Sequence, residues 1–240
     1  MKAMILAAGY GKRMRPLTET TPKPLLLAGG KPLIEYHIES LAAAGITDLV
    51  INTAWLGQQI QDYVGDGSRY GVQVQWSPEA EPLETGGGIY AALSFLLDDQ
   101  QGEQPFLVVN GDIWTDFPFR QLAERGLADD EQAHLVLVPN PPQHPQGDFV
   151  MDSRQRITYP QSLGQSTSTF SGISLQRPQN FSNHKPQQAA FPLWDVLRPA
   201  MTVGAVSGQQ YNGRWFDIGT VERLQVLDSQ LSKKQFNRDA

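Results

Sequence analysis

The residues most suited to chemistry lie together near the start of the sequence, in the segment Leu6 to Pro24, LAAGYGKRMRPLTETTPKP. Gly9 and Gly11 directly follow an apolar run, and glycines there let the backbone turn tightly and direct N–H groups at a phosphate. Arg13 adds a planar guanidinium that is always charged, and Lys23 adds a mobile ammonium. The segment matches neither the GxGxxG of dinucleotide folds nor the GxxxxGK[ST] of P-loop proteins. Taken alone, it fits a phosphate-binding loop and an ordinary tight turn with solvated cations equally well.

The charges of the chain are unevenly distributed. The net charge is −6, which argues against a nucleic-acid partner. The first 31 residues nevertheless carry a balance of +5, so the remaining 209 carry −11. The basic segment contains Lys2, Lys12, Arg13, Arg15, Lys23 and Lys31 against the single acid Glu19. A basic patch on an acidic protein indicates a site for a small, highly anionic ligand.

Length and composition exclude several classes of protein. The 240 residues predict one large domain, and the absence of cysteine excludes a disulfide scaffold, a thiolate zinc site and a cysteine nucleophile. No stretch approaches the roughly 18 consecutive apolar residues of a membrane span, and the N-terminal segment lacks the features of a secretory signal. We therefore expect no membrane partner and a cytoplasmic location. The four histidines show no metal-ligand spacing.

The elements that must position the reactive residues alternate between apolar runs and amphipathic segments, as in βαβ units around a mostly parallel sheet. In such sheets ligands bind beyond the carboxyl ends of the strands. This places the glycines after the first strand and Asn110-Gly111-Asp112 after the fourth at one site. The predicted strands are 2–7, 48–53, 72–76, 106–109 and 134–138, and the predicted helices are 32–44 and 88–97.

The pattern changes after Pro139, where prolines cluster and the apolar runs become short. Runs at 148–151, 156–159 and 169–175 predict antiparallel strands and loops that are added to the sheet and form part of a substrate pocket. Further helices are predicted at 191–201 and after Thr220, whose hydroxyl can cap a helix N-terminus.

Five segments, in order along the chain, resemble the sugar-1-phosphate nucleotidylyltransferases. The first is G-x-G-x-R-M-x-P-L-T…P-K-P-L…G-K-P-L-I, between Gly9 and Ile34; the others are LETGGG at 83–88, VNGD at 109–112, FSGI at 170–173 and WFDIGT at 215–220. The resemblance implies an α/β fold of the nucleotide-diphospho-sugar transferase type, a Rossmann-like three-layer α/β/α arrangement with a mixed sheet. It further implies a single domain, 1–240, in which 1–138 bind the nucleotide and 139–240 bind the sugar and supply a C-terminal helix.

Within this family, the segments LETGGGI, VNGDIWTD and TFSGIS are most similar to the N-acetylmuramate α-1-phosphate uridylyltransferases of bacterial cell-wall recycling. That similarity implies an enzyme that transfers a uridylyl group from UTP to the sugar 1-phosphate and releases pyrophosphate, with Mg²⁺ as cofactor. Mannose-1-phosphate guanylyltransferases share the pattern near residue 85. Guanylyl transfer to mannose 1-phosphate therefore stays open, as does uridylyl or thymidylyl transfer to glucose 1-phosphate.

The resemblance also assigns roles to individual residues. Arg13 and Lys23 are the expected catalytic residues, and Asp112 and Asp217 the expected magnesium ligands. Contacts with the nucleotide are expected from Leu6, Ala8, Gly9, Gly11, Lys12, Arg13, Lys23, Thr85 and Gly86, and contacts with the sugar from Asn110, Asp148, Ser171 and Gly172. The lactyl carboxylate of N-acetylmuramate needs a cation or N–H donors, for which Arg154, Arg156 and Arg214 are alternatives.

An alternative hypothesis is that the protein is not an enzyme but a non-catalytic sensor of nucleotide sugars with the same fold. That hypothesis predicts the loss of at least one catalytic or metal-binding residue, yet Arg13, Lys23, Asp112 and Asp217 are all present. An enzyme is therefore favoured over a sensor. A homodimer is one assembly open to the chain, and the sequence does not fix the oligomeric state.

Overall fold

A central seven-stranded sheet organises the chain, and the computed structural model describes residues 1–97, 104–162 and 164–236. The strands are β1 (Ala3–Leu6), β2 (Leu27–Ala28), β3 (Lys31–Pro32), β4 (Asp48–Thr53), β5 (Gln73–Pro78), β6 (Phe106–Asn110), β7 (Ile113–Thr115), β8 (Ala133–Val138), β9 (Val150–Met151), β10 (Ile157–Thr158), β11 (Thr169–Gln176), β12 (Val206–Gln210) and β13 (Trp215–Asp217). The helices are α1 (Leu17–Thr20), α2 (Leu33–Ala43), α3 (Gly57–Val64), α4 (Glu84–Ala91), α5 (Leu93–Leu96), α6 (Arg120–Arg125), α7 (Pro178–Ser182), α8 (Leu193–Thr202) and α9 (Val221–Phe236). Of the described helices, none has both the length and the apolar surface needed to cross a membrane.

Strand β1 lies inside the sheet and pairs in parallel with β4 and β6. Its side chains alternate between the two faces, so that Ala3 and Ile5 enter one hydrophobic core and Met4 enters the other. All three are fully buried. Burying one such aliphatic side chain stabilises the fold by about 1.5–3 kcal/mol, which explains why the strand is apolar on both faces.

Helices cover both faces of the sheet. Ile38 of α2 and Ile60 of α3 pack into the core on the side of Ala3 and Ile5. Ile89 of α4 and Leu197 of α8 pack into the opposite core. These layers form the three-layer α/β/α arrangement in a single domain, so the predicted fold class is confirmed.

The sheet is mixed, with the strand order β12-β8-β11-β6-β1-β4-β5. Strand β11 runs antiparallel between β6 and β8, as predicted for 169–175. The predicted strands at 148–151 and 156–159 differ, because they shrink to β9 and β10 and pair with each other outside the main sheet. Strands β7 and β12 were not predicted.

The helix predicted at 88–97 has different bounds in the structure. It begins four residues earlier, at Glu84, and is interrupted at Ala92 before the short helix α5. Three consecutive glycines favour a turn by propensity, which is why the sequence places the start too late. Tertiary contacts override that preference, since the N–H groups of Gly86 and Gly87 both donate to the Phe191 carbonyl ahead of α8.

The C-terminal helix α9, predicted to follow Thr220, packs on the short hairpin β2–β3. Leu227 is fully buried in a third hydrophobic cluster with Met14 and Trp114. The Asp228 carboxylate accepts a hydrogen bond of 2.8 Å from the Gly29 N–H. These contacts bring the first turn of α9 beside the basic N-terminal segment.

Candidate active site

A pocket of about 310 Å³ opens beyond the carboxyl ends of β1 and β6. Leu6 and Asn110, the last residues of these strands, are register partners. The wall consists of Leu6, Ala7, Ala8, Gly9, Gly11, Lys12, Arg13, Met14, Lys23, Pro24, Asn52, Glu79, Pro82, Leu83, Glu84, Thr85, Asn110, Gly111, Asp112 and Gly219. The pocket therefore lies where the topology of an open α/β sheet places a ligand, and its volume suits a small molecule.

The glycine-rich segment forms a tight loop at one side of the pocket. Gly11 adopts φ +63°, a left-handed conformation that side chains with a Cβ rarely adopt. Its carbonyl accepts hydrogen bonds of 2.8 Å from the Thr18 hydroxyl and from the Met14 N–H, so the loop is fixed from both directions. Lys12 and Arg13 follow on the pocket wall, and both are exposed. The loop thus presents backbone N–H groups and two cations to the same space.

Lys23 faces this loop from the other side and pairs with Asp112. Its Nζ lies 2.8 Å from Asp112 Oδ2, and only 10% of the lysine side chain is exposed, against 41% of the aspartate. Asp112 follows β6, so the ion pair joins the basic segment to the central sheet.

His37 supports the same region from beneath. It is 2% exposed, and its Nε2 lies 2.8 Å from the Ile113 carbonyl. Burial lowers the pKa of His37 to about 4, so the ring is neutral at physiological pH and its Nε2–H can donate to that carbonyl. The histidine thereby fixes the peptide next to Asp112, a contact that the sequence did not indicate.

Asp217 lies on β13, which pairs antiparallel with β7. Its register partner is Ile113, and the next residue, Ile218, donates its N–H to the Asp112 carbonyl at 2.9 Å. Asp112 and Asp217 are therefore diagonal neighbours on two paired chain segments. The Asp217 carboxylate forms an ion pair with Arg223 of α9.

The chemistry of these two carboxylates fits a magnesium ion. Mg²⁺ is usually held by one or two protein carboxylates, with phosphates and water completing its octahedron. Among the described residues there is no cluster of three or more His, Asp or Glu side chains that could hold a metal alone. A magnesium ion at Asp112 and Asp217 would accordingly take its other ligands from phosphate and water.

Thr85 and Gly86 were expected to contact the base, and only one of them lines the pocket. Thr85 lines the pocket, but its hydroxyl accepts a hydrogen bond of 2.9 Å from the Leu193 N–H. Gly86 is buried away from the pocket wall, and its N–H donates to the Phe191 carbonyl. The segment that reaches the pocket is 82–85, immediately before and at the start of α4.

Asn52 and Glu79 form a buried polar pair on the pocket wall that was not predicted from the sequence. Asn52 is 2% exposed and Glu79 is 9% exposed. The Asn52 amide donates to the Glu79 carboxylate at 2.7 Å and accepts a hydrogen bond from the Ala7 N–H at 2.8 Å. The second Glu79 oxygen accepts from the Leu83 N–H at 2.9 Å. The pair therefore connects the glycine-rich loop to the segment 82–85, and burial raises the pKa of Glu79.

The residues expected to contact the sugar are grouped around the end of β6 and the start of β11. Asn110 lines the pocket, and a Cβ on Gly172 would lie 2.9 Å from its Nδ2. Ser171 is buried, and its carbonyl accepts from the Trp215 indole at 2.8 Å. Asp148 accepts a hydrogen bond from the Phe170 N–H and contacts His144. Of these four residues, Asn110 alone belongs to the wall of the pocket described above.

The three arginines considered as partners of the lactyl carboxylate make other contacts in the structure. Arg156 pairs with Asp130, and the Arg154 N–H donates to Asp152 in the turn after β9. Arg214 lies with its guanidinium 4.8 Å from the centre of the Trp114 ring. None of the three lines the described pocket.

The pocket has cationic side chains and one carboxylate at the end of the central sheet, an arrangement that suits a phosphorylated ligand. Residues 2–234 match the family model described as Nucleotidyl transferase, and the chain belongs to this family. The prediction of a nucleotidyltransferase enzyme is confirmed at this level.

Two curated relatives show how the chain stands within the family. It is 52% identical over 229 residues to the N-acetylmuramate alpha-1-phosphate uridylyltransferase of Neisseria meningitidis serogroup B, covering 93% of this chain and 95% of the relative. It is 40% identical over 142 residues to the mannose-1-phosphate guanyltransferase of Emericella nidulans, covering 58% of this chain and 37% of that protein. The first similarity extends over nearly the whole of both chains, and the second is confined to part of each.

Solved structures share the fold. A Bacillus anthracis protein, whose crystal structure with sucrose carries the name glucose-1-phosphate thymidylyltransferase, superposes with a TM-score of 0.84 at 24% identity, covering 97% of this chain and 95% of that one. HddC from Yersinia pseudotuberculosis, complexed with GMP-PN, gives a TM-score of 0.77 at 21% identity, covering 95% and 98%. These likenesses show the fold alone.

Proposed function

We propose that this enzyme transfers the uridylyl group of UTP to N-acetylmuramate α-1-phosphate, giving UDP-N-acetylmuramate and pyrophosphate in cell-wall recycling. The observation that carries the proposal is the 52% identity over 93% of this chain to a relative named for that activity. The arrangement of the site supports it, because Arg13, Lys23 and Asp112 line the same pocket.

The main physical difficulty of the reaction is bringing two polyanions together in line. The attacking phosphate oxygen is already an anion, so no strong general base is needed. Arg13 would hold the triphosphate and stabilise the charge that develops on the departing pyrophosphate. Lys23 would lie between the α-phosphate and the incoming sugar phosphate. The N–H groups of Gly9, Gly11 and Lys12 would bind phosphate oxygens, and the loop fixed by Thr18 supports this role.

Asp112 and Asp217 would hold the magnesium ion. When bound, Mg²⁺ neutralises phosphate charge and orients the reacting groups. In the structure Asp112 pairs with Lys23 and Asp217 pairs with Arg223, so each carboxylate is held in place by a neighbouring cation.

The remaining contacts follow the two halves of the chain, with 1–138 toward the nucleotide and 139–240 toward the sugar. The backbone of 82–85 would face the base, and Leu6 and Ala8 would pack along the nucleoside. Asn110, although it belongs to the first half, would bind a sugar hydroxyl from the pocket wall. Asp148, Ser171 and Gly172 lie beyond that wall and would extend the sugar site toward the other hydroxyls and the acetamido group. The proposal places the enzyme in the cytoplasm, where nucleoside triphosphates are available.

The test is pyrophosphate release across a substrate matrix with Mg²⁺. UTP, dTTP, GTP, ATP and CTP would each be combined with the 1-phosphates of N-acetylmuramate, N-acetylglucosamine, glucose and mannose. Maximal turnover with UTP and N-acetylmuramate 1-phosphate supports the proposal. Maximal turnover with GTP and mannose 1-phosphate would replace it with the activity for which the fungal relative is named. The Arg13→Ala variant controls for contaminating activity, because Arg13 is exposed, so its removal is expected to leave the fold intact while it deletes the proposed triphosphate cation.

A further inference from the structure

Arg223, in the first turn of α9, pairs with Asp217 through only one of its three guanidinium nitrogens. Its Nη1 donates to Asp217 Oδ2. Within the described residues, its Nη2 has no hydrogen-bond partner. Of the Arg223 side chain, 22% is exposed. The carboxylate thus orients the guanidinium and leaves one edge of it available.

The free edge lies beside Gly219, and the Arg13 guanidinium lies close to the same glycine. A Cβ built on Gly219 would collide with Arg223 Nη2 and would lie 3.2 Å from Arg13 Nη1. Gly219 belongs to the wall of the pocket. The two guanidinium groups therefore converge on one point at the pocket wall, and the missing side chain of the glycine is what lets them do so.

Two guanidinium groups this close repel each other unless an anion lies between them. Asp217 offsets the charge of Arg223, but the Arg13 guanidinium has no ion pair or hydrogen bond among the residues the structure describes. Planar guanidinium groups bind phosphate oxygens through two parallel N–H donors, and a pair of them suits a multiply charged phosphate.

We propose that Arg13 and Arg223 together bind the pyrophosphoryl group of the nucleotide, with Gly219 as the gap that admits it. Arg223 is the new element, since neither the motifs of the sequence nor the similarity to relatives assigned it a role. The inference rests on the proposed nucleotidyl transfer, because that reaction requires a pyrophosphoryl group, but it is independent of which base and which sugar are used.

The test is the binding of inorganic pyrophosphate to the purified protein by calorimetry, in EDTA and without nucleotide or sugar. Arg223→Gln is expected to weaken this binding at least tenfold. Gly219→Ala keeps every charge but fills the gap, and it is expected to weaken binding by a similar factor. Arg120→Gln is the matched control, because Arg120 is an exposed arginine on α6 outside the pocket, and its affinity is expected to stay within twofold of the wild type.

The outcomes separate this inference from the proposed function. Affinity within twofold of the wild type for both Arg223→Gln and Gly219→Ala would overturn the inference while leaving the proposed reaction intact. If thermal unfolding shows that Arg223→Gln does not fold, the pyrophosphate affinities of Gly219→Ala and Arg223→Lys test the inference instead. A loss seen with N-acetylmuramate α-1-phosphate but not with pyrophosphate would assign Arg223 to the sugar phosphate and overturn the inference. A wild-type chain that does not bind pyrophosphate at millimolar concentration in EDTA would overturn the inference, whereas the proposed reaction, which uses Mg²⁺, is tested by the substrate matrix.

Discussion

The Lys23 ammonium lies 2.8 Å from the Asp112 carboxylate and is nearly buried, although the two residues are far apart in the sequence. A buried lysine is unusual, and burial without a partner would be costly, so Asp112 is what makes this position available to a cation. The same contact presents the lysine to the pocket between the glycine loop and the end of β6. One ion pair therefore couples the proposed phosphate-binding residue to a proposed metal ligand.

Removing the charge of Lys23 tests its proposed place at the α-phosphate. Lys23→Met keeps the length of the side chain but removes the ammonium, and we expect kcat/KM to fall by about 10²–10³, the effect of deleting one preorganised group that stabilises developing charge. Lys31→Met is the control, because Lys31 pairs with Glu39 at the surface. Steady-state kinetics of both variants provides the comparison. Activity of Lys23→Met above a tenth of the wild type would remove Lys23 from the chemistry.

Neutralising Asp112, a proposed magnesium ligand, should change the magnesium requirement. Asp112→Asn replaces a charged oxygen ligand by a neutral one, and we expect the Mg²⁺ concentration for half-maximal activity to rise at least tenfold. EDTA is expected to abolish turnover of the wild type, with recovery on added Mg²⁺. Asp62→Asn serves as control, because Asp62 is an acceptor for Gln58 on the surface of α3. An unchanged magnesium dependence in Asp112→Asn would place the metal elsewhere.

Asn52 should matter for stability and for the nucleotide site together. Asn52→Ala leaves the Ala7 N–H and one Glu79 oxygen without their partners, and we expect the free energy of unfolding to fall by about 2–3 kcal/mol. Because the Asn52–Glu79 pair connects the glycine-rich loop to the segment 82–85, KM for the nucleotide should rise as well. Urea denaturation and kinetics measure the two effects, with the exposed Gln58→Ala as control. A loss of stability without any change in KM would reduce the pair to a structural role.

The buried His134 should make the free energy of unfolding depend on pH. It is fully buried, between Ser207 and Gln209, and burial, reinforced by the charge of Arg125, lowers its pKa to about 4. A histidine with a lowered folded-state pKa stabilises the fold above its unfolded value near 6.5, and this contribution is lost as the pH falls toward 4. His134→Gln should therefore lose about 2 kcal/mol less stability than the wild type between pH 7.5 and pH 5.

Urea denaturation of both proteins at the two pH values gives this difference directly. His37, which is also buried with a lowered pKa, is present in both and cancels. Equal pH dependence of the wild type and His134→Gln would show that His134 is not the titrating group.

Local sequence patterns were sufficient where the structure depends on local geometry. The glycine loop after β1, helix α2 and the buried strands followed from spacing and apolar runs, because each is specified within a few residues. The mixed order of the sheet, and the antiparallel insertion of β11 between β6 and β8, agree with the fold that the family resemblance implied.

Contacts between distant segments could not be predicted in the same way. Asn52 lies inside a buried strand, and nothing in its neighbourhood in the sequence indicates that Glu79 lies opposite. Thr85 and Gly86 were expected to precede a helix, but they lie in the first turn of α4, where hydrogen bonds with Leu193 and Phe191 occupy them because α8 packs against that helix. Arg223 escaped notice because its role depends on the approach of Arg13 to Gly219, 206 residues away in the chain.

The central claim is the choice of sugar, and the ratio of kcat/KM for two sugar 1-phosphates with UTP and Mg²⁺ tests it most directly. N-acetylmuramate α-1-phosphate differs from N-acetylglucosamine α-1-phosphate by the lactyl group alone. The proposed function requires the enzyme to bind the lactyl carboxylate, and an enzyme that pairs with a polar group of its substrate rejects the analogue that lacks it, so we expect a preference of about 10² or more for N-acetylmuramate. Equal efficiencies, or a preference for N-acetylglucosamine, would contradict the proposed function.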